Sequence, residues 1–230
     1  MEIIAEIGQN HNGSITLAKE LIYAAKENGA DVAKFQIFNA KKLFKKKGNK
    51  WYKNNLQAEL SEDQIYELSD ECKKLKIEFM ASIFQTEFIK ITEEIKMKRY
   101  KIASRSVTDT KLINKIIKTN KPIILSLGMW DKDYFPFTKI KKMKYLFCVS
   151  KYPAPKSSIN FTKSFFNKYD GFSDHTIGIQ KAKESIKLGA KILEKHFTID
   201  KKLDGPDHKL SILPKELKIL HEYRLQNAKQ

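Results

Sequence analysis

The chain has 230 residues, 41% of them hydrophobic, with 14 Phe and 9 Tyr; this excludes a disordered protein and allows one sizeable core. No apolar run is long enough to cross a bilayer, and the opening "MEIIAEIG" lacks the basic start of a signal peptide. A net charge of +17 admits a nucleic-acid or anionic partner, but the excess is Lys scattered over helix faces and no RNA-binding motif accompanies it, so neither a nucleic-acid nor a membrane partner is expected.

In chain order, "EIIAEIG" (2–8) reads as a buried strand. "SITLAKELIYAAKENG" (14–29) places apolar residues at helical spacing, with Ser14 as N-cap and Gly29 as the stop. "DVAKFQIF" (31–38) returns to strand character, and a long lysine-rich insertion (39–60) follows. Its densest basic run, "KKLFKKKGNK" (41–50), is expected to lie in a loop. "SEDQIYELSDECKKLK" (61–76) is a helix capped by Ser61, with acids in its first turn. Strand 78–84, helix 86–96, strand 99–104, helix 109–119 and strand 122–128 continue the alternation. The connection 129–143 has only a weak helical signal, strand 144–152 follows, and 160–169 holds one poor helix. Strand 171–175, helix 177–189, strand 191–198 and a final helix from about Pro214 close the series. Strands alternating with helices imply parallel βαβ units, and this number of them implies an α/β protein of the (β/α)8 TIM-barrel class, with 1–230 as a single domain. The rival, a doubly wound sheet, lacks its Gly-rich phosphate loop, because "GQNHNG" is not that fingerprint.

Such barrels keep their active sites at the C-terminal ends of the strands, and polar residues fall there on every strand. The first strand ends in Glu6, followed by Asn10 and His11; the second carries Lys34 and Gln36; the third ends near Ser82. The fourth holds Lys101 and Ser104, the fifth Ser126, the sixth Ser150 and Tyr152. "GFSDH" supplies Ser173, Asp174 and His175, and "KILEKHFT" supplies Glu194 and His196. Buried Lys, Glu and His are costly unless paired or bound to something. Two lysines with several hydroxyls suit a phosphate or carboxylate. Two histidines with a carboxylate suit a divalent metal that keeps positions open. Glu6 suits a general base or a group that orients water. Plainer readings stay open beside these: Lys34 or Lys101 pairing with Glu6 or Glu194, and His11 bonding its own loop. Cys72 and Cys148, without CxxC spacing, read as reduced packing residues of a cytoplasmic protein.

The motifs "IIAEIGQNHNGSITLAKELIYAAKENGADVAKFQIF", "YKIAS", "KPIILSLGM", "CVSKYPAP", "GFSDHTIGI", "GAKILEKHFTID" and "GPDHKLS", in that order, resemble the sialic acid synthase family, the N-acetylneuraminate synthases and their relatives. The resemblance implies a barrel that condenses phosphoenolpyruvate with an N-acylated amino sugar, N-acetylmannosamine-like or diacetamido, to a nonulosonic acid and phosphate. By the same resemblance His175 and His196 hold a divalent metal, Mn2+ or Mg2+, and with Glu6 form the catalytic set. Lys34, Lys101, Ser104, Ser126 and Ser173 would hold phosphoenolpyruvate, and Gln36, Ser82, Ser150, Tyr152 and Asp207 would line the sugar side. A homodimer is implied, and a C-terminal antifreeze-like domain that is usual in the family is not expected here. The sugar side departs most from the family pattern. "KIASRS" puts Arg105 and Ser106 where Gly-Glu is usual, Ser82 stands in a Thr position, Phe147 replaces a His, and Ser150 an Asn. An acceptor other than N-acetylmannosamine is therefore expected. A barrel that binds phosphoenolpyruvate or sugar without turnover, and a Schiff-base aldolase using Lys34 or Lys101, are the competing readings.

Overall fold

The computed structural model describes residues 1–228, so positions 229–230 of the expected domain lie outside the described residues. Eight parallel strands form a closed barrel in sequence order. They are β1 (Glu2–Gly8), β2 (Val32–Ile37), β3 (Glu78–Ile83), β4 (Tyr100–Ile102), β5 (Ile123–Ser126), β6 (Met143–Cys148), β7 (Gly171–Asp174) and β8 (Ile192–His196). The fold is thus the expected (β/α)8 TIM barrel.

Around the barrel run α1 (Ile15–Glu27), α4 (Glu62–Lys74), α5 (Ile89–Glu94), α6 (Thr110–Ile117), α7 (Phe165–Lys168), α8 (Gln180–Lys187) and α9 (Pro214–Asn227), while α2 (Ala40–Leu43) and α3 (Tyr52–Gln57) sit in the insertion after β2. Ser14 caps α1 by accepting from the Leu17 N–H at 3.2 Å, and the helix buries Ala18, Leu21, Ile22 and Ala25 along one stripe. Ser61 and Gln64 form a reciprocal capping box on α4, which turns Ile65, Leu68 and Cys72 inward.

The interior of the barrel is closed at its base by one apolar layer: Ile4, Val32, Met80, Ile124, Leu146 and Ile192, all buried. Strand side chains alternate in direction, so the next inward position on each strand lies two residues further along. β7 and β8 approach closely at the base, where a Cβ on Gly171 would lie 2.0 Å from the Ile192 carbonyl oxygen. Only glycine fits there, so this residue sets the separation of the two strands that carry the histidines.

Three local expectations are corrected. The 41–50 run is not wholly loop, because Ala40–Leu43 is helical, capped by the Asn39 side chain on the Lys42 N–H at 3.0 Å. Strands six and eight end earlier than 152 and 198, at Cys148 and His196. The 86–96 helix is broken into a tight turn at Thr86–Phe88 and α5. No helix among the described residues is long and apolar enough to cross a membrane.

Candidate active site

Two residues above the apolar layer, the inward positions become Glu6, Lys34, Ser82, Ser126, Cys148 and Glu194. The strand registers Ser82↔Lys101 and Cys148↔Ser173 bring β4 and β7 into the same ring. One step higher stand Gln36, Ser150, His175 and His196. Together they line a cavity of about 570 Å3 at the C-terminal mouth of the barrel. Every site residue expected from the sequence lines this one cavity, Ser104, Tyr152 and Asp207 included. Asn10, His11 and Asp174 do not line it and serve as supports.

The floor is a closed network of charge. Lys34 Nζ lies 2.5 Å from Glu6 Oε2 and 3.7 Å from Glu194 Oε2, and donates to Ser82 Oγ at 3.2 Å. Lys101 Nζ donates to Ser126 Oγ at 2.7 Å and stands 3.5 Å from Glu194 Oε1. Ser173 Oγ donates to the same Glu194 oxygen at 3.0 Å. The plain pairing of the lysines with the two glutamates is therefore present, and it sits inside the cavity. Burial raises the Glu6 carboxyl above the ordinary carboxylate range, and Lys34 offsets this only in part. Burial also acts to raise Glu194, but Lys101 and Lys34 outweigh it and draw it down to about 2. Two neighbouring carboxylates are thus driven apart, one kept ionised and one ready to take a proton.

From Glu6 a file of amides runs outward. Gln36 donates to Glu6 Oε1 at 2.8 Å, Gln9 to Gln36 at 3.4 Å, Asn55 to Gln9 at 2.8 Å, and Asn49 to Asn55 at 3.0 Å. Each amide uses its oxygen as acceptor and its NH2 as donor, so the file points donors toward the carboxylate. It ties the insertion after β2 to the floor.

The rings of His175 and His196 are 5.6 Å apart, centroid to centroid, and Tyr152 lies over His175 at 4.3 Å. His175 Nδ1 is 2.9 Å from the Val149 carbonyl, which can only accept. In the neutral ring Nδ1 therefore carries the proton and Nε2 keeps its lone pair. Burial acts to lower the ring's pKa, but Cys148 and the Val149 carbonyl outweigh it and raise the pKa above its usual value. His196 Nδ1 is buried without a hydrogen-bond partner, 3.7 Å from Asp207 Oδ2. Burial lowers His196 to about 4, so its ring is neutral at pH 7. Both histidines keep a nitrogen that can bind an electrophile. Behind them, on the outer side of the barrel wall, Lys195 Nζ donates to Asp174 Oδ2 and to the Thr176 carbonyl, each at 2.8 Å. This buried pair joins the residue before His175 to the residue before His196 and fixes their spacing.

Sequence reasoning gave two residues too small a part. Glu194 was weighed only as a lysine partner, yet it is the central anion of the floor. Cys148 was read as packing, but its thiol faces the cavity, 3.2 Å from Ser104 Oγ and 3.8 Å from His175 Nδ1. The period-two spacing from Leu146 was the signal that would have placed it. The amides Gln9, Asn49 and Asn55 carried no such signal, because they come from loops. His11 does bond its loop, accepting from the Gly13 N–H at 3.2 Å.

Residues 21–229 match the model of the NeuB family. The chain is 39% identical over 247 aligned residues to the N,N'-diacetyllegionaminic acid synthase of Legionella pneumophila, covering 95% of this chain and 69% of that protein. Against the Campylobacter jejuni protein of the same name, identity is 37%, with 95% of this chain and 73% of that protein covered. The solved N-acetylneuraminic acid synthetase of Leptospira borgpetersenii, in complex with citrate, superposes with a TM-score of 0.88 at 31% identity, over 99% of this chain and 83% of that one. The chain belongs to the NeuB family.

Proposed function

We propose that this protein condenses phosphoenolpyruvate with an N-acylated amino sugar to give a nonulosonic acid and phosphate. The observation that carries the reading is the convergence, in one cavity, of two buried lysines, two carboxylates of split proton affinity and two histidines with free ring nitrogens. Lys34, Lys101, Ser104, Ser126 and Ser173 are suited to the phosphate and carboxylate of phosphoenolpyruvate, which would displace the lysines in part from their glutamates. Gln36, Ser82, Ser150, Tyr152 and Asp207 then face the sugar. Ser82 accepts from Lys34, so it also borders the anion side.

In the reaction the enol carbon forms a bond to the aldehyde carbon of the open-chain sugar, whose oxygen takes up a proton. Water adds to the carbon that bore the phosphate, the bond to the phosphate oxygen breaks, and a ketone remains. Glu6, with its raised proton affinity and its file of amides, is placed to accept the proton of that water. The histidine pair fits a divalent cation, Mn2+ or Mg2+. Its donor set is two imidazoles with the Asp207 carboxylate 3.7 Å from one of them, and among the described residues no group of three His, Cys, Asp or Glu gathers as a metal cluster. Such a cation, when bound, polarises a carbonyl oxygen as a Lewis acid. The legionaminic names of the relatives favour a diacetamido acceptor. Both cysteines are free thiols, in keeping with a cytoplasmic enzyme, and a homodimer is the assembly we expect.

Phosphate release from phosphoenolpyruvate in the presence of Mn2+ and a panel of acetamido and diacetamido sugars tests the reading. At least one sugar should support release, and Glu6→Gln should cut kcat by about a hundred- to ten-thousand-fold. Tight phosphoenolpyruvate binding with every acceptor inert would instead favour a barrel that binds without turnover.

A further inference from the structure

Lysines lie scattered along the sequence, but closure of the barrel gathers a set of them. In a closed parallel barrel every strand begins at the same end. The turns that enter the strands therefore share one face, the base, at the opposite end from the cavity. Lys76 lies in the turn before β3, Lys98 before β4, Lys141 and Lys142 before β6, and Lys191 before β8. Lys144 stands on β6 itself, two residues before Leu146 of the apolar layer and below that layer. All six lysines are exposed. Main-chain hydrogen bonds tie their turns to the neighbouring strands. The Lys142 carbonyl accepts from the Ile123 N–H at 2.9 Å, and the Lys191 carbonyl from the Glu2 N–H at 2.8 Å.

The charge of these lysines is uncompensated. The carboxylates of the same turns and strand starts are engaged elsewhere. Arg99 pairs with Glu2 and Glu78, Arg224 pairs with Asp31, and Asp170 accepts from the Tyr145 N–H at 2.9 Å. Among the described residues no carboxylate lies within 4 Å of any of the six ammonium groups. A helix C-terminus attracts lysines to its last turn, but that does not account for this set. Lys98 and Lys191 lie beyond the ends of α5 and α8, and no helix precedes Lys141, Lys142 and Lys144 in the connection from β5. The turns of the base carry no exposed aromatic ring on which a nucleobase could stack. Arg99, which could fork onto a phosphate, is held by its two glutamates. What remains is a set of separate ammonium groups on a rigid face, which responds to charge density rather than to shape.

We propose that the base of the barrel docks on an anionic lipid surface, through charge alone and without insertion, and leaves the cavity open at the far end. The inference goes beyond the synthase reading and does not depend on it. No segment spans the bilayer; the lysines meet lipid headgroups only. Each ammonium group gains from the negative surface potential of such a membrane within a Debye length, roughly 8–10 Å, so the contact is strongly salt-dependent.

Flotation of the full chain with lipid vesicles tests this. One set of vesicles is phosphatidylcholine alone, and the other contains about one third phosphatidylglycerol. At low salt the affinity for the anionic vesicles should be about tenfold or more above that for the neutral ones, and about 0.5 M salt should abolish the difference. Combining Lys98→Gln, Lys141→Gln, Lys144→Gln and Lys191→Gln should lower the affinity for anionic vesicles by about tenfold or more. A control variant combines Lys45→Gln, Lys46→Gln, Lys47→Gln and Lys50→Gln, which removes the same charge from exposed positions in the connection after β2. It should change that affinity by less than about twofold. Equal weakening by the two sets reduces the effect to net charge and overturns the inference. Equal binding of neutral and anionic vesicles by the wild type overturns it too. Tighter binding of a single-stranded oligonucleotide than of anionic vesicles, lost when the four base lysines are replaced, assigns the face to nucleic acid and overturns the lipid reading.

Discussion

The floor and the rim of the cavity are built on opposite terms. Floor residues such as Glu6, Lys34, Lys101 and Glu194 project from strands, are almost fully buried, and pair in charge with one another. Rim residues such as Phe44, Trp51 and Arg105 come from loops and short helices, are partly or well exposed, and leave charge uncompensated. The difference teaches that the floor is a preorganised surface whose chemistry is fixed by the barrel. The rim is the part that can change acceptor without disturbing the barrel.

The spacing of the histidines offers the hardest test of a rigid floor. Lys195→Met leaves Asp174 buried without its partner, and a loss of about 3–5 kcal/mol in urea unfolding is expected. The double variant with Asp174→Asn should recover much of that stability. If the pair sets the histidine geometry, the double variant still binds Mn2+ more weakly than the wild type by calorimetry. Full metal affinity in the double variant would reduce the pair to plain structure.

A smaller effect comes from His11, under the edge of the floor. Burial lowers its folded pKa from 6.5 to about 4. Between these values the unfolded chain takes up a proton that the folded chain refuses. Stability is therefore complete above pH 6.5 and falls as pH drops toward 4, by about 3 kcal/mol from this group. His11→Asn, which keeps an acceptor for the Gly13 N–H, should flatten the acid limb of the urea midpoint against pH. An unchanged acid limb would show that other groups carry it.

The smallest effect probes the joint between floor and rim. Asn55→Ala interrupts the file of amides between Asn49 and Gln9. The loss of both bonds, about 2 kcal/mol together, should raise the acceptor KM about thirtyfold and leave the KM for phosphoenolpyruvate alone. An equal rise in both would show that the file braces the floor as a whole.

The same division explains what could be read from the sequence. The eight strands were legible because buried parallel strands appear as short apolar runs, and the floor was legible because polar residues interrupt those runs at regular places. Cys148 escaped because a thiol does not break an apolar run, so nothing in composition sets it apart from Leu146. Strand ends were overextended at Ser150 and Tyr152, since the apolar pattern of β6 continues after its pairing with β7 has stopped at Cys148. α2 and α3 were missed because the insertion has no helical spacing of apolar residues to reveal them. Arg105 was visible as an unusual residue, but its place over Phe44 and Phe84 depends on two loops distant in sequence.

The hydrogen bonds around Asn10 have a further consequence, which concerns time rather than shape. Asn10 Nδ2 donates to the Phe197 carbonyl at 2.8 Å and to Ser211 Oγ at 2.9 Å, contacts that span 187 and 201 residues. They lie at the seam where β1 meets β8, and there Glu6 is paired in register with His196. Links of such length form late, after the local βαβ units, because loop closure must precede them. Glu6 and His196 therefore meet only when the ring shuts. During refolding the β7–β8 unit that carries His175 and His196 can pair early, and Glu6 joins it only at that last step, so the cavity is completed when the barrel closes.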